Sequence, residues 1–458
     1  MLDSKQHTFF QKVRSLPLQV IIPAAVGCSM LCASVLPWLN DPLQGFYSAW
    51  KLPVDIGWQF HINILSYGLL CTCCAILAFL TAYVHFRQWK EFRKGAYFTS
   101  GYLSLGILCM APFFLFWFQY LWADLYGIDV LAQHTTQALL IQHHFGYSVS
   151  RELIPLSPLT LSTATLLERL VLLIDQVVPG VFVPLVSGCL LIYYRRFLLA
   201  SGLTTAKKHP KQNQLVLMLL GLLLVTAVFG RSPAAMVCEY TAKGSLASGD
   251  NVMALKWLNT ALFLNPALDQ VSYFHIERGQ AYYSLYPNIQ SDDSRVYLAF
   301  VYRTQGDYLD AEQELIALWR THPATSWVVA EASVTFETLA EFNRQRGGQP
   351  IPRAENDVAS MTWLQLLSQV DPSNVYGQYV IGRLQYYLHS YDASIARMTK
   401  VIQLSRNADI QSSAYTYIGL SIAGQGNIVD ARKFLFQAAK LDPAYHNNTA
   451  REELSGLH

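Results

Sequence analysis

The chain has 458 residues, 52% of them hydrophobic and only 14% charged, well below the quarter that a soluble domain carries, so part of it is expected to meet lipid. Its formal net charge of +2 gives no footing for nucleic-acid binding, because it averages a basic first half with a mildly acidic second half. Cys238 is the one cysteine outside the apolar stretches, which excludes an internal disulfide framework in the polar half.

Five apolar stretches approach or exceed the length that crosses a hydrocarbon core of roughly 30 Å. They run from about Leu16 to Trp38, Ile62 to Phe86, Tyr97 to Trp122, Val177 to Leu199 and Leu215 to Phe229. The first has a basic start like a signal peptide, but it runs past signal length and ends at Pro37 and Trp38 without a small-residue cleavage site, so it is expected to stay as an anchor.

Orientation follows from the basic residues of the short loops. Lys5, Lys12, Arg14, Arg87, Lys90, Arg93, Lys94, Arg195, Arg196, Lys207, Lys208 and Lys211 fall on one side, and only Lys51, Arg151 and Arg169 on the other. The expectation is a cytoplasmic N-terminus, five spans and an extracytoplasmic C-terminal half, in a bacterial cytoplasmic membrane.

Cys71, Cys73 and Cys74 sit inside the second span with no histidine or carboxylate nearby in sequence, and read as packing residues rather than a metal cluster. In the first outer loop, Asp41 and Asp55 suggest an alternative of another class, a membrane enzyme acting on lipid-linked or cell-envelope substrates. Asn40-Asp41-Pro42 is equally a turn. The outer loop 124–176 reads as two amphipathic helices, about Ile128 to Phe145 and Leu159 to Ile174, which would lie in the interface or cap the bundle. Its His134, His143 and His144 are spaced nine and ten residues apart, out of register for one metal or haem. No cofactor is expected.

Beyond residue 234 the pattern changes to a repeat. Tyr415, Ile418, Gly419, Ile422, Ala431, Leu435 and Pro443 recur in kind at Leu298, Ala299, Tyr302, Gly306, Ala311, Leu315 and Pro323, and at Ala242, Gly249, Ala254, Leu258, Ala261 and Pro266. The small residues let two helices approach closely and the proline ends the second helix. This 34-residue spacing resembles the tetratricopeptide repeat (TPR) family. Gly382 and Met398 mark a weaker copy, while Pro287 to Ser291 and Arg344 to Glu355 depart from the pattern.

The resemblance implies a curved α-solenoid with a concave face lined by the first helix of each repeat. At the family's inward positions stand Tyr273, Tyr283, Phe300, Arg303, Tyr376, Tyr379, Arg383, Tyr386 and Tyr387, residue types enriched where proteins bind proteins. The competing account of these side chains is burial against a neighbouring helix or an inserted loop.

The expected architecture is therefore all-α: a five-span membrane domain over 1–234, followed by an irregular TPR-like solenoid over 235–458. The expected function is scaffolding or assembly, with a protein or peptide partner in the groove, lipid around the bundle and no catalytic residue. Five spans exceed what tethering needs, which points to contacts of the bundle with other membrane subunits.

Overall fold

The computed structural model describes residues 18–54, 66–91, 100–123, 125–144, 166–200, 231–345, 354–442 and 447–456. Among them the secondary structure is helical apart from one two-stranded hairpin, β1 (Pro37–Asp41) and β2 (Gly45–Ser48). The chain divides into two compact units. One comprises 1–40, 46–123 and 173–230, and the other 41–45, 124–172 and 231–458.

The first unit contains α1 (Leu18–Val35), α2 (Tyr67–Glu91), α3 (Ser100–Phe118) and α6 (Val183–Ala200). Four helical segments, not five, are long and apolar enough to cross a membrane among the described residues: Leu18–Val35, Tyr67–Arg87, Tyr102–Leu121 and Pro179–Leu198. The fifth expected stretch, 215–229, and Asp55 lie outside the described residues.

Packing in this unit depends on missing side chains. A Cβ on Gly188 would stand 2.4 Å from the Gly106 carbonyl oxygen, so α3 and α6 approach closely where both have glycine. Gly27 of α1 similarly meets the Phe79 ring of α2. At one end Trp38 is fully buried, donates from Nε1 to the Ala33 carbonyl at 2.9 Å, and packs on Tyr67 and Phe116 with ring centroids 5.3 and 5.7 Å away. The outward faces carry exposed Ile76, Leu80, Ile107, Phe114, Val186 and Leu190, a surface that water does not favour.

The second unit is built from successive helices, each packed on the next: α7 (Arg231–Ala247), α8 (Asn251–Leu264), α9 (Ser272–Leu285), α10 (Asp292–Gln305), α11 (Tyr308–Thr321), α12 (Ser326–Gln345), α13 (Ala354–Val370), α14 (Val375–Tyr387), α15 (Tyr391–Leu404), α16 (Ala408–Gly424), α17 (Ile428–Leu441) and α18 (Asn448–Gly456). The repeat residues explain that packing. Ala242, Ala254, Ala299, Ala311 and Ala431 are buried where helices cross. A Cβ on Gly419 would sit 2.7 Å from Leu435, and one on Gly279 would sit 1.9 Å from the Asp293 carbonyl oxygen.

The turns are equally local in origin. Gly249, Gly306 and Gly426 take positive φ at the ends of α7, α10 and α16, a region open to glycine without a Cβ clash. Asp250 and Asn427 then cap the following helices by accepting the Met253 and Asp430 N–H groups. Between α14 and α15 the left-handed position falls instead to His389, at φ 57°.

Two segments from the first half of the sequence join this unit. α4 (Leu125–His144) packs on α14 and α16, helices that begin repeats, and the hairpin tip 41–45 belongs with it. A further helix, α5 (Leu166–Gln176), crosses the division between the units in sequence. α4 and the end of α5 fall near the expected bounds, residues 159–165 of the second expected helix lie outside the described residues, and α4 groups with the repeat unit.

Candidate functional site

α4 presents Val130, Gln133, His134 and Gln137 at helical i, i+3, i+4, i+7 spacing, and α12 presents Ser326, Val329, Ala330 and Ser333 at the same spacing. These two stripes line a cavity of about 430 Å³ within the second unit. Leu43 and Gln44 of the hairpin tip, Gln270 and Ser272 before and at the start of α9, and Asp371, Ser373 and Val375 around the α13–α14 turn complete much of the wall.

The tip is held by backbone chemistry. Asp41 Oδ1 accepts the N–H groups of Leu43 at 2.8 Å and Gln44 at 2.7 Å, the turn that Asn-Asp-Pro favours. The Leu43 carbonyl accepts from the Arg406 N–H at 2.7 Å and from Ser405 Oγ at 2.9 Å, while Asn407 Nδ2 donates to the Pro42 carbonyl at 2.8 Å. Asp41 Oδ2 then lies 2.6 Å from His134 Nδ1. His134 lines the cavity, and its Nδ1 is the ring nitrogen engaged by Asp41.

One turn further along both helices the cavity is closed by a buried polar knot. Gln137 donates from Nε2 to Glu337 Oε1 at 3.2 Å and accepts the Val375 N–H at 3.2 Å. Asn374 also donates to Glu337 Oε1 while its own Oδ1 caps α14 at the Gly377 N–H, 2.8 Å away. Burial pushes the Glu337 carboxyl up to about 8; the hydrogen bonds from Asn374 and Gln137 oppose this, and Asp371 adds to it. At neutral pH Glu337 therefore keeps its proton in most molecules.

α4 also covers apolar surface. Ala138, Leu140 and Ile141 share one buried cluster with Leu43, Phe336, Leu367, Tyr376 and Tyr379. The expected groove residues accordingly divide into two sets. Tyr376 (1% exposed), Tyr379 (0%), Arg383 (3%) and Tyr273 (1%) are sealed inside the unit. Burial raises the Tyr379 phenol well above its usual range, with Arg383 opposing. Arg303 is also committed, to Glu331 at 2.9 Å and Thr335 Oγ1 at 2.6 Å, and its guanidinium lies over the Phe300 ring, 5.6 Å from the centroid. Tyr283 and Tyr387 remain exposed, Tyr386 and Phe300 partly so. Tyr386 and Tyr387 stand beside Tyr417 in an aromatic cluster.

The enzyme alternative sets Asp41, Asp55 and the loop histidines near one site without choosing a pair; the structure pairs Asp41 with His134, 93 positions away. The signal that could have found it is the polar stripe Gln133, His134, Gln137 on a helix whose other face is apolar. His143 and His144 lie at the end of α4, and Asp55 lies outside the described residues.

No family model matches the chain. No curated protein matches it either. Among solved structures it is similar to the TPR2AB-domain:pHSP90 complex of yeast Sti1, at 15% identity over 49% of this chain and 83% of that one, with a TM-score of 0.22. At that score the architecture rests on the chain's own packing.

Proposed function

We propose that the protein is a membrane-anchored scaffold whose second unit, an irregular TPR-like solenoid, binds another protein or peptide on the outer side of a bacterial cytoplasmic membrane. The observation that carries this is the helix stack itself, in which Gly279, Gly419 and the buried alanines occupy helix crossings at the repeat spacing. Such a stack offers a preformed surface, so a partner binds without the receptor losing much ordering entropy. The apolar outward faces of α1, α2, α3 and α6 supply the anchor in lipid, and the basic loops 87–94 and 195–211 set its cytoplasmic side. Lipid, and other subunits of a larger membrane complex, are the partners of that bundle.

The surface available to a partner is narrower than the full set of inward positions. With Tyr376, Tyr379 and Arg383 covered, the contact residues on this reading are Tyr283, Tyr387 and the partly exposed Tyr386 and Phe300. The test is mild crosslinking in native membranes, then purification through a C-terminal tag and mass spectrometry. Specific envelope proteins are expected to co-purify and to fall about tenfold in Y283A/Y387A, equivalent to losing about 1.4 kcal/mol of binding. Recovery of the protein alone would overturn the scaffold reading.

A second reading, an enzyme acting on lipid-linked or cell-envelope substrates, is favoured by one observation, the Asp41–His134 pair beside a cavity. Both Asp41 oxygens are engaged, so His134 would be the base and Asp41 its positioning partner. D41A with intact partner capture but lost biological function would move the assignment to this class.

A further inference from the structure

His275 of α9 is 4% exposed, and both of its ring nitrogens have partners. Nδ1 lies 2.7 Å from Asp293 Oδ1 of α10, and Nε2 lies 3.0 Å from the backbone carbonyl oxygen of Asp269. A carbonyl oxygen can only accept, and so can the Asp293 carboxylate, whose Oδ2 faces the Arg278 guanidinium at 3.3 Å. An imidazole with one proton donates from one nitrogen and presents a lone pair at the other. Both contacts are therefore hydrogen bonds only when the ring carries two protons. The ring also stacks on Trp327 of α12, centroids 4.0 Å apart and planes 16° apart, an aromatic face that favours a cation.

The backbone held at Nε2 belongs to a joint. The single helical turn Pro266–Gln270 links α8 to α9 and packs on α4, α8, α9 and α12, and its Gln270 lines the cavity. Charges around the ring come from each of the neighbouring elements. Besides Asp293, α10 brings Asp292, which pairs with His322 at 3.0 Å. The Asp269 carboxylate comes within 3.9 Å of Nε2. On α9 Arg278 faces Asp293, and Glu277 turns to Lys243 of α7 at 3.3 Å. The charged residue of α8, Lys256, is exposed, Glu331 of α12 is held by Arg303 at 2.9 Å, and His134 of α4 is held by Asp41.

We propose that His275 is a proton latch on the joint 266–270: with two protons it ties the turn to α10, and with one it keeps the stronger acceptor, Asp293, and releases the Asp269 carbonyl. A lone pair on Nε2 facing a carbonyl oxygen at 3.0 Å is repulsive, and a small shift of the turn relieves it. The joint between the pair α7–α8 and the rest of the stack thus tightens in acid and loosens as pH rises, and one wall of the cavity moves with it. This device goes beyond the scaffold reading and does not depend on which partner the second unit binds.

The experiment is hydrogen exchange read by mass spectrometry on the full chain in detergent micelles at pH 5.5 and 8.5, as protection factors corrected for the intrinsic exchange rate. The reporting amides are Leu268 and Val271, which donate to the Asn265 and Leu268 carbonyls. Their protection is expected to fall about tenfold between the two pH values, the scale of one lost hydrogen bond to a charged group, while α16 keeps its own. In D293N the carboxamide can turn to donate to Nδ1, which frees the single ring proton for Asp269, so protection should stay high at both pH values. H275F has neither bond and should be low at both; D293N carries the test independently of it. Glu277 and Glu337 also lose protons towards about 8 but remain in D293N, so a fall that they cause would persist there. Equal protection at both pH values in the native chain, an undiminished fall in D293N, or an equal fall in α16 would each overturn the latch.

Discussion

Two glutamates in the helix stack, Glu337 buried and Glu277 partly so, are held by opposite means. Near its start, Glu277 of α9 faces Lys243 of α7 at 3.3 Å, and the same ammonium lies 2.7 Å from Glu239. In its middle, Glu337 of α12 accepts from the amides of Gln137 and Asn374. Burial pushes both carboxyls up to about 8, against Lys243 in the first case and against two hydrogen bonds in the second. Burial also presses the Lys243 ammonium down, but Glu277 and Glu239 outweigh it and its pKa is raised. The lesson is that a cation joins helices of the repeat to one another, whereas neutral amides join the repeat to α4, a helix from elsewhere in the sequence. Gln137 thus ties α4 to the stack through a neutral amide.

The largest way to break the comparison is K243M. It leaves Glu239 and Glu277 without their shared cation and should cost about 3 kcal/mol, read as a lower urea midpoint of the full chain in micelles. The loss should deepen as pH rises, because Glu277 must then ionise without its cation.

A smaller effect sharpens the other side. Glu337 sits above its ordinary value near 4.5, so the folded chain holds an extra proton between there and about 8. Its contribution is complete below the ordinary value and is lost as pH rises through about 8. Native protein should therefore lose about 1 kcal/mol from this group between pH 7 and 9, and E337Q, which keeps the carbonyl acceptor, should lose that much less. Glu277, Glu312 and Glu331, which burial also raises, contribute to the decline that remains. An identical pH profile in E337Q and native protein would contradict the assignment.

What was legible in the sequence was local. Gly279, Gly419 and the spaced alanines announce close helix crossings because a Cβ at each crossing would collide with its neighbour, and Gly-Asp and Gly-Asn pairs announce the turns. Apolar runs of sufficient length likewise mark α1, α2, α3 and α6. The seating of α4 was not legible, because an amphipathic pattern tells which face is buried and not what buries it. For that reason Tyr376 and Tyr379 stand at inward positions and yet are covered, and Asp41, readable as a turn residue, also orients His134. The aromatic residues signalled a contact surface, part of which the chain fills with its own helix.

The measurement that tests the account most directly is cysteine accessibility in intact cells, with a membrane-impermeant maleimide. Val429 is 71% exposed on α17, and Lys208 belongs to the basic stretch that the proposed topology assigns to the cytoplasm. V429C should be labelled from outside and K208C only after permeabilisation, above the background of the native cysteines. The reverse pattern would put the helix stack in the cytoplasm and contradict an outward-facing scaffold.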